Sequence, residues 1–442
     1  MNKKTFFFYD LETSGLRPRA DRIMQFAGQR TSMNLEPIGE PVNILVKMTN
    51  DALPSPGAIA VTKITPQATL ADGMSEAEFC QYVTDEVFVP GTIAIGYNTV
   101  RFDDEFMRAT LWRNFYDPYE WEWRDGRGRW DMLDVVRLTR ALRPEGIKWP
   151  FTEDGKPTNR LELITKLNGV EHEHAHDALS DVYATIAVAQ LIREKQLKLF
   201  EYLLSMRDKR EVQKFANLEH PQPFVYTSGR YASERNKTTV VVPLAPSRNG
   251  NILVYDLRVN YQDFDPEKCF PTVKELCYNR CPVIAPLGVL EQGDGWKKID
   301  LTLEQVQKNW KELMEHPELA EQMRTKYEER LEFEPAEEPE GAIYEGFIGD
   351  TDKIKAAAVR NADVSRLADF HPDFNDERLA GLLLHYKGRN FPEALSESEA
   401  EEYEKYRTTR LQKQLPGFMA ELEKMEDEFL KEELLLYMQS LV

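Results

Sequence analysis

Cysteine is scarce, with four in 442 residues. Cys80, Cys269, Cys277 and Cys281 are too few for a disulfide scaffold and read as reduced, mostly buried thiols. Cys277 and Cys281 could supply half of a zinc site, but no second pair follows them. Long apolar runs are absent too. None reaches the ~18 residues that a membrane span requires, and the Thr5–Tyr9 run stops at Asp10, too early for a signal peptide. The expectation is a soluble, cytoplasmic chain with no membrane partner. Positive charge is in deficit, 56 Lys and Arg against 75 Asp and Glu, a net charge of −19. That excludes a histone-like coating of nucleic acid but leaves room for one local basic groove. No internal repeat is visible. What the chain does have is ordinary globular composition, 42% hydrophobic and 30% charged, and length for two or three domains.

Strand-like runs lie at Thr5–Tyr9, Val42–Val46 and Ile93–Gly96. Helical periodicity follows at Asp103–Asn114, Met132–Leu142, Arg160–Leu167 and Ala178–Lys195. Strands alternating with helices predict an α/β unit with a mixed sheet over residues 1–195. From Pro221 the pattern turns to short β runs, Pro223–Tyr226, Thr238–Leu244 and Ile252–Leu257, separated by Ser-Gly and Asn-Gly turns. Helical periodicity returns over Leu303–Arg330, so residues 196–338 form a second, barrel-like unit. The acidic, proline-containing stretch 334–340 reads as a linker. Residues 341–442 are helix-compatible almost throughout.

The chemistry concentrates in three places. In Tyr9-Asp10-Leu11-Glu12, side chains alternate along a strand, so Asp10 and Glu12 share a face at the end of a buried aromatic run. Two such carboxylates repel, and burial is costly unless a cation neutralises them. A hard divalent ion, magnesium or manganese, is the natural partner. In Asn98-Thr99-Val100-Arg101-Phe102-Asp103, a third carboxylate opens a helix just after a strand. In His176-Asp177-Ala178-Leu179-Ser180-Asp181, a fourth sits one turn inside the Ala178 helix, with His176 on the loop before it. Asp177 reads as the helix cap. His172, His174 and His176 alternate in a loop, which is not a zinc-binding spacing.

This ordered set resembles the DEDDh exonucleases, with Asp10, Glu12, Asp103 and Asp181 as the four acids and His176 as the histidine. Further segments, Val100-Arg101-Phe102-Asp103-Asp104-Glu105, Ala141-Leu142-Arg143-Pro144-Glu145-Gly146, Cys281-Pro282-Val283 and Tyr386-Lys387-Gly388-Arg389-Asn390-Phe391-Pro392, extend the resemblance to the bacterial exonuclease I family over nearly the whole chain. The resemblance implies a ribonuclease-H-like exonuclease domain with a mixed sheet, an SH3-like β-barrel domain and an α-helical C-terminal domain. It also implies processive 3′-to-5′ hydrolysis of single-stranded DNA to 5′-mononucleotides, in DNA repair and recombination, by a monomer. The four acids would hold two Mg2+ ions, or Mn2+, and His176 would act as general base.

Single-strand binding needs cations for phosphates and flat faces for bases. The arginine- and aromatic-rich segment 108–143 supplies the candidates Arg108, Tyr119, Trp123 and Arg137, and Lys209 belongs to a second basic cluster. Arg160 matches a family position at the terminal nucleotide, where Glu12 also contacts substrate. The family docks the tail of single-stranded DNA-binding protein, for which Lys387, Arg389 and Phe391 are candidates. Two alternatives stand beside this reading. One is a DEDDh enzyme acting on RNA or short oligonucleotide ends; the other is a non-catalytic nucleic-acid-binding scaffold. Deleting residues 341–442 is expected to spare cleavage of very short oligonucleotides.

Overall fold

The computed structural model describes residues 4–170, 177–265, 270–330 and 335–441. Five strands form the first sheet: β1 (Thr5–Thr13), β2 (Ile23–Thr31), β3 (Val42–Leu45), β4 (Thr92–Gly96) and β5 (Gly128–Asp131), in the order β3-β2-β1-β4-β5. β2 runs antiparallel to β1 and β3, whereas β4 is parallel to β1 and β5. The sheet is mixed, as the alternation of strands and helices predicts.

Its two faces follow directly from the sequence of β1. Phe6 and Phe8 project into one apolar cluster, shared with Val182, Ile186 and Ala189 of the helix Ala178–Lys195 and with Val135 and Leu138 of the helix Met132–Leu142. Phe7, Tyr9 and Leu11 project into the other, against Phe106, Met107 and Leu111 of the helix Asp103–Arg113. Period-two alternation thus places Asp10 and Glu12 on the face that the Ala178 helix covers. The other helix opens at the same end of the sheet, where Asp103 Oδ1 accepts a hydrogen bond from Leu11 N–H at 3.2 Å.

The second unit carries an antiparallel sheet of β6 (Phe224–Thr227), β7 (Thr238–Pro246), β8 (Ile252–Asp256), β9 (Val273–Leu276) and β10 (Val283–Pro286), in the order β10-β6-β7-β8-β9. Its interior is continuous with the first unit, because Val225, Val240 and Leu253 join the Phe6–Phe8 cluster. The predicted helix over 303–330 is two helices, Leu303–Met314 and Glu318–Glu329. Pro317 stands between them, where its ring excludes a continuous helix.

The C-terminal helices include Glu377–Asn390, Glu397–Leu422 and Glu428–Leu441. They are packed onto the first unit through two apolar clusters. Met24, Met48 and Ile59 meet Phe418, Leu422 and Leu434. Trp112 and Phe115 meet Ile343, Leu382 and Tyr386. Between these clusters lies a buried ion network. Glu340 accepts from Arg22 (3.5 Å) and Arg410 (3.3 Å) and pairs with Arg389. Asp51 accepts from Arg22 at 3.1 Å, and Glu76 holds Arg113 at 2.7 Å. The linker reading therefore fails at Glu340, which is 2% exposed. An acidic run reads as solvent-facing unless its counter-charges are visible, and here they lie some 50 and 320 residues away along the chain. Among the described residues no helix is long and apolar enough to cross a membrane.

Candidate active site

β4 ends at Gly96, level with Tyr9, and β1 runs on past it, so Asp10 and Glu12 stand just beyond the carboxyl end of β4. Gly96 closes β4 where a Cβ would lie 2.0 Å from Thr99 Cγ2 and 2.8 Å from the Tyr9 carbonyl oxygen. Only glycine permits that approach. The chain then turns through Asn98, at φ 74°, into the Asp103 helix. Asp131 pins this turn: it caps its own helix through Leu133 N–H at 2.9 Å and accepts from Asn98 N–H at 2.9 Å and Val100 N–H at 3.2 Å. Burial and the Asp134 charge push the Asp131 carboxyl up to about 6, against the three hydrogen bonds that favour its anion.

Asp10, Glu12 and Asp181 each present a carboxylate oxygen within 4.8 Å of the others, all three half-buried. Asp181 arrives in the first turn of its helix, which Asp177 caps by accepting from Ser180 N–H at 3.1 Å, as the sequence predicts. Asp103 stands behind them, 4% exposed. Burial, followed by the charges of Asp103, Asp181 and Glu12, drives Asp10 well above the ordinary carboxylate range. Burial and the neighbouring Asp104 do the same to Asp103. No lysine or arginine among the described residues pairs with Asp10 or Glu12. Two half-buried oxygen donors that no described lysine or arginine answers, with the Asp181 carboxylate within reach of both, suit a hard divalent ion.

Proton and metal compete for this cluster. Burial, then the charges of Asp181 and Asp177, lifts Glu12 to about 8 in the metal-free chain. A raised acid contributes stability that is full below its unfolded value near 4.5 and lost as pH rises through about 8. An ion must displace that proton. At one fixed Mn2+ concentration, the rise in melting temperature over a chelator control should therefore be larger near pH ~8.5 than near ~6.5. Equal rises at the two pH values would show that the ion binds elsewhere.

His176 lies outside the described residues. Of the predicted substrate-binding residues, Arg160 is exposed at the start of the helix Leu161–Leu167, and Lys209 is exposed at the start of Lys209–Gln213. Trp123 is 63% exposed. Arg137 is half-buried, paired with Asp134 at 2.5 Å, with its guanidinium beside Gly229 of the second unit. Tyr119 is half-buried beneath the Arg108 guanidinium.

Two expectations need correction. Arg108 is 4% exposed and bonded to Glu122 and Glu105, so it braces two helical segments and offers no free face to a phosphate. Lys387 and Arg389 are sealed inside, bonded to Glu399 and to Glu340 and Asp51; they cannot form an open pocket for an acidic peptide, and Phe391 beside them is half-buried. Charge alone does not distinguish a surface arginine from one that answers a buried carboxylate. The sequence also left two site residues without a role, Asp104 and Asp131, and counted Arg129 in the arginine-rich segment read as DNA-binding, although it is 5% exposed. For Asp131 a signal existed, an aspartate immediately before a strongly periodic helix.

Three family models match the chain: Exonuclease over residues 7–189, Exonuclease I SH3-like domain over 207–269 and 261–329, and Exonuclease I C-terminal domain over 337–441. The exodeoxyribonuclease I of Haemophilus influenzae is 38% identical over 443 residues, spanning 95% of this chain and 93% of that protein. The crystal structure of Escherichia coli exonuclease I with a dA16 oligonucleotide superposes with a TM-score of 0.95, at 35% identity and over 100% of both chains. An exonuclease I solved with SSB and an inhibitor (TM-score 0.92) and E. coli exonuclease I as a single-stranded DNA complex with zinc ion (TM-score 0.94) match at the same identity and coverage.

Proposed function

The chain belongs to the exonuclease I family and is an exodeoxyribonuclease, and from that premise we propose that it removes 5′-mononucleotides processively from the 3′ end of single-stranded DNA. The observation that carries this reading is the convergence of Asp10, Glu12 and Asp181, backed by Asp103, just beyond the carboxyl end of β4. These four acids would hold two Mg2+ ions. When bound, such ions supply Lewis-acid polarisation of the phosphate and a more acidic water.

The remaining steps belong to the chain. Asp10, Glu12, Asp103 and Asp181 would hold the ions whose charge offsets that of the scissile phosphate. A water attacks phosphorus, the bond to the 3′ oxygen of the preceding nucleotide breaks, and that oxygen takes a proton. His176 takes the proton of the attacking water on an imidazole nitrogen, for which an ordinary value of about 6.5 is well matched at neutral pH. Arg160, exposed before the His176 segment, would hold the terminal nucleotide. Arg137 would hold a phosphate between the first and second units, and Trp123 would stack a base. Single-stranded DNA and single-stranded DNA-binding protein are the partners, by likeness to the exonuclease I complexes with an oligonucleotide and with SSB. Domain limits of 1–195, 196–338 and 341–442, a monomeric state, and cytoplasmic work in repair and recombination complete the proposal.

Binding can be dissected by salt. If Arg137 contacts a phosphate, Arg137→Ala should reduce the slope of log affinity against log salt by about 0.7. Trp123→Ala should weaken binding by about 1–3 kcal/mol with the slope unchanged, because stacking releases no counterions. An unchanged slope in Arg137→Ala would remove it from the DNA path.

A trap experiment tests direction and processivity together. Enzyme bound to a long 5′-labelled strand is started with Mg2+ and excess unlabelled DNA. The proposal expects the labelled strand to shorten from its far end to very short products despite the trap. A ladder frozen near full length would make the enzyme distributive, and release of the label first would reverse the polarity.

A further inference from the structure

Behind the acids lies a buried charge pair with a second neighbour in the barrel unit. Arg129, on β5, is 5% exposed. Its Nη1 pairs with Asp104, its Nε faces Glu122 at 3.1 Å, and its Nη2 donates to the Asn279 carbonyl oxygen at 2.8 Å. The barrel turn also reaches back, with Cys281 Sγ donating to the Arg129 carbonyl oxygen at 3.2 Å. Asp104 follows Asp103 directly in the first helical turn, and Tyr9 of β1, next to Asp10, donates its hydroxyl to the other Asp104 oxygen. Asp104 is 1% exposed.

These contacts are not equivalent. Without Arg129, Glu122 would keep Arg108, whose Nη2 donates to it at 3.0 Å. Asp104 would keep only a tyrosine hydroxyl. It would become a buried charge with no ion pair of its own beside Asp103, since Arg108 is held by Glu122 and Glu105 and reaches it only at a distance, and that is the costly outcome of breaking a buried pair. The turn would have to shift or reorganise to hydrate it, and Asp103 is on that turn.

We propose that Arg129 is a positioning residue for Asp103: it neutralises Asp104 from behind, and the barrel turn at Asn279–Cys281 holds it in place. This rests on the reading of Asp103 as a site acid. The second unit thereby supports the catalytic turn as well as any DNA path.

A double-mutant cycle on the full chain tests it. Arg129→Gln should lower kcat about 30-fold, with KM for a long single strand within about twofold of wild type. Adding Asp104→Asn removes the stranded charge while keeping an oxygen for Tyr9, and should restore at least about tenfold of the lost kcat, a coupling within the usual range for touching groups. A double variant no faster than Arg129→Gln would overturn the proposal, as would a loss expressed in KM alone. If Arg129→Gln does not fold, Arg129→Lys, which keeps charge but not the three-way fork, is read instead; an unchanged kcat there counts against the proposal. Asp103→Asn separates the two layers. Activity in Asp103→Asn would fail the underlying reading, whereas an inactive Asp103→Asn beside a fully active Arg129→Gln would fail this inference alone.

Discussion

Asp10→Asn should abolish hydrolysis while leaving the metal-free chain at least as stable as wild type. The two effects have one cause. Asp10 is crowded by burial and by the charges of Asp103, Asp181 and Glu12, all of which oppose its ionisation. Asparagine keeps the shape and removes the repulsion, so the melting temperature in chelator should hold or rise. The same substitution removes an oxygen donor from the acid cluster. Losing metal polarisation of the phosphate forfeits several kcal/mol of transition-state stabilisation, about 10³-fold or more in rate. Single-strand binding should survive, because its cations and exposed rings lie elsewhere. Near-normal turnover in Asp10→Asn with Mg2+ would contradict the assignment.

The second large effect concerns stability. Glu340→Gln should cost about 3–5 kcal/mol of unfolding free energy, as expected when one member of a buried ion network is removed. Arg389, Arg410 and Arg22 would then crowd onto Asp51, with only Glu338 left to Arg410 and Glu76, 4.0 Å away, left to Arg22. Those guanidiniums hold the Glu340 carboxyl well below the usual range, against the burial that opposes its charge, and hold Asp51 down likewise. Depressed acids stabilise the fold above their unfolded values near ~4 and lose that contribution as pH falls below them. Urea titrations at pH ~7 and ~3.5 should therefore show a large gap between wild type and Glu340→Gln that narrows in acid. An equal gap at both would mean that charge is not the source.

That network also changes the expectation for truncation. Removing residues 341–442 would strip Arg389 and Arg410 from Asp51 and Glu340 and uncover the Met24–Ile59 and Trp112–Phe115 surfaces. The product should be an unstable chain, not an exonuclease confined to short substrates. Composition shows where the chain changes character, but not that a core and its counter-charges are shared across the change.

Much else was legible. The helices Met132–Leu142 and Ala178–Lys195 coincide with their periodic patterns, β4 matches its apolar run to within a residue, and β1 begins with its run and continues through Asp10 and Glu12 to Thr13. β2 was missed because it is buried along nearly its whole length yet carries Gln25, Gly28, Gln29 and Arg30, so it neither alternates nor reads as apolar. β5 was hidden inside an arginine- and tryptophan-rich segment read as DNA-binding surface. Its Arg129 and Trp130 are interior. The acids were visible because strand alternation and helix starts fix where their side chains go. The supports around them were not, since Asp104 and Arg129 find each other only through the sheet.

The most direct measurement is the fate of a 3′-end label on matched single-stranded and duplex DNA, with Mg2+ and with chelator. The account predicts rapid release of labelled 5′-mononucleotide from the single strand, little from the duplex, and none in either when the metal is removed. Chelator-resistant release, or equal release from both substrates, would contradict it.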